Sequence, residues 1–187
     1  MKIGSLFSGY GGLDLAVQEV FGAQVVWHCE WEDAPSVVLD AHWPGVPNYR
    51  DVTKVDFSQV EPVDILTGGF PCQDVSTAGK RKGLTEGTRS NLWFEFLRAI
   101  EELRPRFVVI ENVRGLLSAK ADSDLELETS GLDYKPGLPV LRAGSVVAGS
   151  LASIGYDCKW VTVRASDAGA PHRRERVFIL AVANNQG

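Results

Sequence analysis

Only three cysteines stand among the 187 residues: Cys29, Cys72 and Cys158. They are odd in number, widely spaced and without a C-x-x-C pair. Neither a disulfide framework nor a zinc knuckle follows from them, and a reducing, cytoplasmic setting is expected. Histidine is equally scarce, His28, His42 and His172 being the full set. None has the Cys or His spacing of a metal site, so no metal is expected. No apolar run approaches the ~20 residues of a membrane helix. The opening MKIGSLFSG passes from one lysine straight into glycines, unlike a signal peptide. No membrane partner is therefore expected. Positive charge is also short, with 19 Lys+Arg against 24 Asp+Glu and a net charge of −5. No global field draws the chain to a polyanion, and any nucleic-acid contact has to be local.

What is present is the mixture of a globular domain, 44% hydrophobic and 23% charged, which at this length predicts a single domain over residues 1–187. Strand and helix patterns alternate from the first residue, which predicts an α/β fold with a mostly parallel sheet and helices on both faces. Strands are expected at 3–7, 24–29, 63–67, 107–110, 156–163 and 177–182. Helices are expected at 13–21, 34–42, 92–103 and 140–154. Their inward faces are predicted to carry Leu13, Ala16, Val17 and Val20; then Val37, Val38 and Ala41; then Leu92, Phe96, Leu97 and Ile100. Residues 74–89 read as a glycine-bearing surface loop, and 118–139 as an acidic, aperiodic surface excursion.

Ligands of open α/β sheets bind at the carboxyl ends of strands, and the unusual residues fall at such ends. Phe7-Ser8-Gly9-Tyr10-Gly11-Gly12 is a glycine turn between strand and helix, which either lets backbone approach a ligand or merely joins the two elements. Glu30-Trp31 after the second strand offers a carboxylate for ribose hydroxyls and an indole for a purine. Pro71-Cys72-Gln73 follows the third strand and places Cys72 as a nucleophile, whereas Cys29 and Cys158 read as packing residues. Glu111-Asn112-Val113 ends the most apolar strand. Burial there would fit Glu111 for acid work near neutral pH, although a helix cap or ion pair is the plainer alternative. In Pro171-His172-Arg173-Arg174-Glu175-Arg176 the strand period puts Arg174 and Arg176 on one side, Arg173 and Glu175 on the other.

In this order and spacing the segments resemble the C5-cytosine DNA methyltransferase family. FSGYGG is similar to its first motif, EWEDAP to its second, RDV (50–52) to its third, and GGFPCQDVS to its catalytic fourth. ENVRGLL is similar to its sixth and PHRRERVFI to its eighth, with His172 where a Gln is usual. The resemblance implies a Rossmann-like S-adenosyl-L-methionine-dependent methyltransferase fold, S-adenosyl-L-methionine as cofactor and double-stranded DNA as partner, with a cytosine flipped out of the stack. It implies that Glu30 holds the ribose, that Asp51 and Val52 meet the adenine edge, and that Trp31 and Phe7 meet the adenine faces. Gly9, Gly11 and Gly12 would lie beside the methionine part, and Leu92 would line the pocket. Cys72 would be the nucleophile, Glu111 the residue on the cytosine N3/N4 edge, and Arg174 and Arg176 the supporting arginines. Lys80, Arg81 and Lys82 in the 74–89 loop would meet phosphates.

Complete members of that family continue into a target-recognition region and two further motifs. That region is expected to be absent here, which leaves several readings. The chain is a short enzyme, a truncated remnant, a split-enzyme half completed by a second polypeptide, or a non-enzymatic cofactor- or partner-binding module. On fold alone, a nicotinamide-dependent oxidoreductase also suits the glycine turn and acidic residue, but explains neither PCQ nor ENV. The transfer-RNA branch of the family shares the chemistry.

Overall fold

Short runs of β-branched and aliphatic residues separated by glycine turns give the strands, and the amphipathic stretches between them give the crossovers. The computed structural model describes residues 1–71, 92–118 and 143–184. In chain order these form β1 (Lys2–Leu6), α1 (Gly12–Phe21), β2 (Gln24–Cys29), α2 (Asp33–His42) and β3 (Ile65–Gly68), then α3 (Leu92–Leu103), β4 (Phe107–Val113), α4 (Ala143–Ser153), β5 (Tyr156–Arg164) and β6 (Glu175–Ala183). One six-stranded sheet runs β2-β1-β3-β4-β6-β5. The pairs β2–β1, β1–β3 and β3–β4 are parallel, and β6 lies antiparallel between β4 and β5. The expected α/β sheet is therefore present, and the chain reverses its direction of travel between β1 and β3.

Two apolar clusters lie on the two faces. Ile3, Val17, Val25 and Ile65 pack with α1 on one. The larger cluster on the other includes Trp27, Leu66, Trp93, Phe96, Ile100, Val108, Val147, Leu151 and Ile179 from the sheet, α3 and α4. The register between β1 and β2 slips after Ile3, pairing Ile3 with Val25 but Gly4 with Trp27. This bulge reverses the facing of the second strand, sending Trp27 into the larger cluster and His28 to the α1 side. Gly4 is obligatory beneath that indole, because a Cβ there would stand 2.0 Å from a Trp27 ring atom.

Three helix faces differ from the pattern expected. In α1 the buried residues are Asp14 and Val17, while Val20 is 78% exposed. The helix is rolled so that Asp14 meets the Ser5 and Thr67 hydroxyls. In α2 Pro35 and Leu39 are buried, and Val37 and Val38 are exposed. In α3 Trp93 and Ala99 join Phe96 and Ile100 inside, leaving Leu92 half-buried. Beyond β4 the α1 face carries Phe178, Leu180, Val182, Val161 and Val163, of which Val161, Leu180 and Val182 are exposed; no described helix packs there. No described helix is long and apolar enough to cross a membrane.

Candidate active site

The reversal between β1 and β3 opens a crevice at the strand ends, the usual ligand position in such sheets. A cleft of about 800 Å³ lies there, lined by the segments after β1, β2 and β3, by residues 50–52 and by the start of α3. Of the residues expected to meet a cofactor, Phe7, Gly9, Glu30, Trp31, Asp51, Val52 and Leu92 line it. Gly11 and Gly12 do not. Gly11 takes a left-handed φ of 78° as the residue capping α1, and a Cβ on it would stand 2.5 Å from the Trp43 ring. Gly12 begins the helix with open space around it.

Glu30, only 8% exposed, is the best-held side chain of the cleft. One carboxylate oxygen accepts the Gly9 N–H at 2.8 Å, tying the glycine turn to the second strand end; the other accepts the Glu32 N–H at 2.8 Å. A carboxylate oxygen offers about two lone pairs, so each keeps one for a ligand hydroxyl. Phe7 adopts a left-handed φ of 52°, fixed by its N–H bond to the Cys29 carbonyl at 2.8 Å. Trp31 is 65% exposed and free to cover a flat ligand. Asp51 accepts from the Thr53 N–H and hydroxyl and pairs with Lys54 at 3.2 Å, and the Thr53 hydroxyl bond leads the causes that hold its pKa low.

At the ends of the neighbouring strands lies a second set of groups. Arg176 Nε stands 2.7 Å from Glu111 Oε1 in an ion pair, their side chains being 22% and 30% exposed. The pair is a diagonal of the β4–β6 ladder, where Val113 opposes Arg176 and Glu111 opposes Phe178. Glu111 is thus partly exposed against a guanidinium, the ion pair that is the plainer of its two readings from the sequence. Gly69 gives it room: a Cβ there would stand 3.2 Å from Glu111 Oε2 and 3.1 Å from the Glu111 carbonyl. Asn112 Nδ2 donates to the Phe70 carbonyl at 3.1 Å, fixing the chain two residues before Cys72. Cys72 itself, the 74–89 loop and nearly all of the 118–139 excursion lie outside the described residues.

Arg174 precedes β6, is exposed, and pairs with no carboxylate among the described residues; its carbonyl accepts the Ala165 N–H at 2.8 Å. Glu175 turns to the opposite side and meets Arg114 at 2.9 Å and Arg164 at 3.8 Å, as the strand period requires. The other two cysteines are poor nucleophiles. Burial pushes the Cys29 thiol up to about 12, with Glu30 and Asp51 adding to it, and burial also raises Cys158. No group of three metal-ligating side chains occurs among the described residues.

Two roles had no signal in the sequence. In the sequence Arg50 is only the first residue of the RDV segment; at a left-handed φ of 64° it lines the cleft and donates to Ser36 Oγ and to Asp33. Asp14, 1% exposed under the glycine turn, accepts from Ser5 Oγ at 2.8 Å and Thr67 Oγ1 at 2.5 Å. An isolated acid in an apolar helix does not reveal which hydroxyls it will face.

An open, mostly parallel sheet with a glycine turn after β1, an acidic residue after β2 and a cleft at its switch point defines a nucleoside-cofactor fold of Rossmann type. The family model for C-5 cytosine-specific DNA methylase matches residues 1–187, and the chain belongs to that family. It is 29% identical to the type II methyltransferase M.Bsp6I of a Bacillus species over 98% of this chain and 53% of that protein. With the type II methyltransferase M.HhaI of Haemophilus parahaemolyticus it shares 31% over 96% of this chain and 48% of the relative. The Dnmt2 methyltransferase of S. pombe superposes with a TM-score of 0.70 at 17% identity, covering 100% of this chain and 52% of the other, which shows a shared fold. The chain spans about half the length of the curated relatives it matches.

Proposed function

We propose that this chain carries the cofactor site and catalytic centre of a DNA (cytosine-5-)-methyltransferase acting through Cys72. The observation that carries the reading is the adjacency of two sites. A ribose-ready carboxylate, Glu30, lies in a cleft at the switch point, while the Glu111–Arg176 pair stands beside Gly69, three residues before Cys72.

S-adenosyl-L-methionine fits the donor set. Glu30 would hold its ribose hydroxyls, Asp51 and Val52 its adenine edge, and Phe7 and Trp31 its ring faces, with Leu92 closing one side and Gly9 near the amino-acid end. When bound, it supplies an electrophilic methyl group on a sulfonium. C5 of cytosine is too weak a nucleophile to take that methyl unaided. Cys72 Sγ adds to C6 as the thiolate while Glu111 holds a proton at N3, so that the displaced electron pair makes C5 nucleophilic. Transfer of the methyl group to C5 would leave S-adenosylhomocysteine, and loss of the C5 proton to a base would then restore the C5=C6 bond and release Sγ. Arg176 fixes Glu111 and, with Arg174, supplies positive charge that favours the thiolate and the base O2. Duplex DNA hides C5 and C6, so the cytosine must first be flipped out.

The test is methyl incorporation from labelled S-adenosyl-L-methionine into duplex DNA and, in parallel, transfer RNA. Incorporation into DNA that Glu111→Gln lowers by about 10²-fold or more supports the reading. Incorporation into RNA alone would move the substrate class. Quenching of tryptophan fluorescence by a nicotinamide dinucleotide but not by S-adenosyl-L-methionine would overturn it.

A second reading is favoured by the coverage of about half of each relative and by the exposed valines and leucine of β5 and β6 on which no described helix packs. In it residues 1–187 bind cofactor and hold the catalytic groups, while target recognition resides outside them, on further chain or on a second polypeptide.

A further inference from the structure

We infer that Asn48 is a positioning residue for the cofactor: its amide clamps the segment after β2 to residues 48–50 and so fixes where the Glu30 carboxylate points. This rests on the proposed cofactor reading of the cleft.

The backbone brings Asn48 alongside β2 by pairing. His28 N–H donates to the Pro47 carbonyl at 2.8 Å and Tyr49 N–H to the His28 carbonyl at 2.9 Å, a parallel bridge at the outer edge of the sheet. From there Asn48 Oδ1 accepts the Glu30 N–H at 2.9 Å and the Arg50 N–H at 3.1 Å. Its Nδ2 donates to the Glu30 carbonyl at 3.2 Å and to Ser36 Oγ at 3.0 Å. The amide orientation is determined by these partners, since a flipped amide would set NH₂ against two N–H donors. One side chain thus holds Glu30 at both its backbone groups, fixes the Arg50 N–H just before Asp51, and reaches α2 through Ser36.

No other described side chain grips both backbone groups of Glu30. The segment after β2 has no helix of its own until α2, so without the clamp Glu30 keeps the Gly9 and Glu32 N–H bonds to its carboxylate and a 3.3 Å bond from Ser36 Oγ to its carbonyl, but nothing from a side chain on its N–H. A carboxylate that has to be re-oriented on binding costs affinity in the ribose contact and little elsewhere.

The experiment measures S-adenosylhomocysteine binding to the full chain by calorimetry, beside the analogue lacking both ribose hydroxyls. Asn48→Ala is expected to weaken S-adenosylhomocysteine by about tenfold or more while shifting the dideoxy analogue less than about threefold. Glu30→Ala should do the same, and the double variant should be no weaker than Glu30→Ala alone. Asn48→Asp keeps an oxygen against the Glu30 and Arg50 N–H groups but loses the donor to the Glu30 carbonyl, so its S-adenosylhomocysteine affinity should fall between wild type and Asn48→Ala, with the dideoxy analogue again shifted less than about threefold. If Asn48→Ala misfolds, the Asn48→Asp and Glu30→Ala comparison still decides. Equal loss for both ligands, or additive effects with Glu30→Ala, overturns the role. Failure of the wild-type chain to bind S-adenosylhomocysteine overturns the cofactor reading, and this inference with it.

Discussion

Asp14 and His28 face each other across the α1 side of the sheet, Nδ1 to Oδ2 at 4.0 Å and each 1% exposed. Burial pushes Asp14 up to about 6, against the opposing bonds from Thr67 and Ser5, and burial pushes His28 down to about 4. The signs are opposite. An acid raised in the folded state is penalised when ionised, so its share of stability grows as pH falls from 7 towards its ordinary 3.8. A histidine lowered in the folded state is penalised when charged, so stability is lost as pH falls from 6.5 towards 4. Each shift corresponds to on the order of 3 kcal/mol, so the two nearly cancel between pH 7 and 5. Asp14→Asn should therefore unmask a loss of stability on acidification, and His28→Leu a gain, both read as urea midpoints at pH 7, 6 and 5. Matching profiles in the two variants would refute this. At the reacting end of the site, Arg176→Ala leaves Glu111 without its partner. Methyl transfer should fall by about 10²-fold or more, with S-adenosyl-L-methionine binding unchanged. A rise in cofactor Kd instead would place Arg176 in the cofactor cleft.

At the scale of elements, the bulge in β2 and the close packing under β1 make glycines unequal. Gly4→Ala drives a Cβ into the Trp27 ring and should cost about 2 kcal/mol or more in denaturant unfolding. Gly12→Ala, with open space at the first position of α1, should be neutral or stabilising by up to about 1 kcal/mol. An equal loss in both would contradict the account of the glycine turn. The same elements show what the sequence makes legible. β2 at 24–29 and the end of α1 at Gly22 follow from local signals, an apolar run and a left-handed glycine, and both are found. The inward faces of α1 and α2 were not legible. Rotation about a helix axis is decided by partners distant in sequence: Ser5 and Thr67 draw Asp14 inward. The motif residues were legible because strand ends gather them. Asn48 was not, since its bonds to Glu30 arise from a bridge between segments 20 residues apart in number, which no local pattern announces.

For the whole molecule, a net charge of −5 and the half-length match to the relatives set the terms. On the proposed function, attraction to DNA has to come from local basic groups such as Arg174, which pairs with no carboxylate among the described residues, not from the global field. Val161, Leu180 and Val182 on the α1 side of β5 and β6 are exposed, and no described helix packs on them. The central claim is that this fold delivers Cys72 to C6 of a flipped cytosine. Its most direct measurement is trapping on a duplex containing 5-fluorocytosine with labelled S-adenosyl-L-methionine, using the chain and a Cys72→Ser variant. Fluorine cannot leave as the C5 proton does, so the account predicts a covalent protein–DNA adduct carrying label, abolished in Cys72→Ser. An adduct that survives in Cys72→Ser, or methyl transfer to the unmodified duplex that this variant leaves intact, would contradict it.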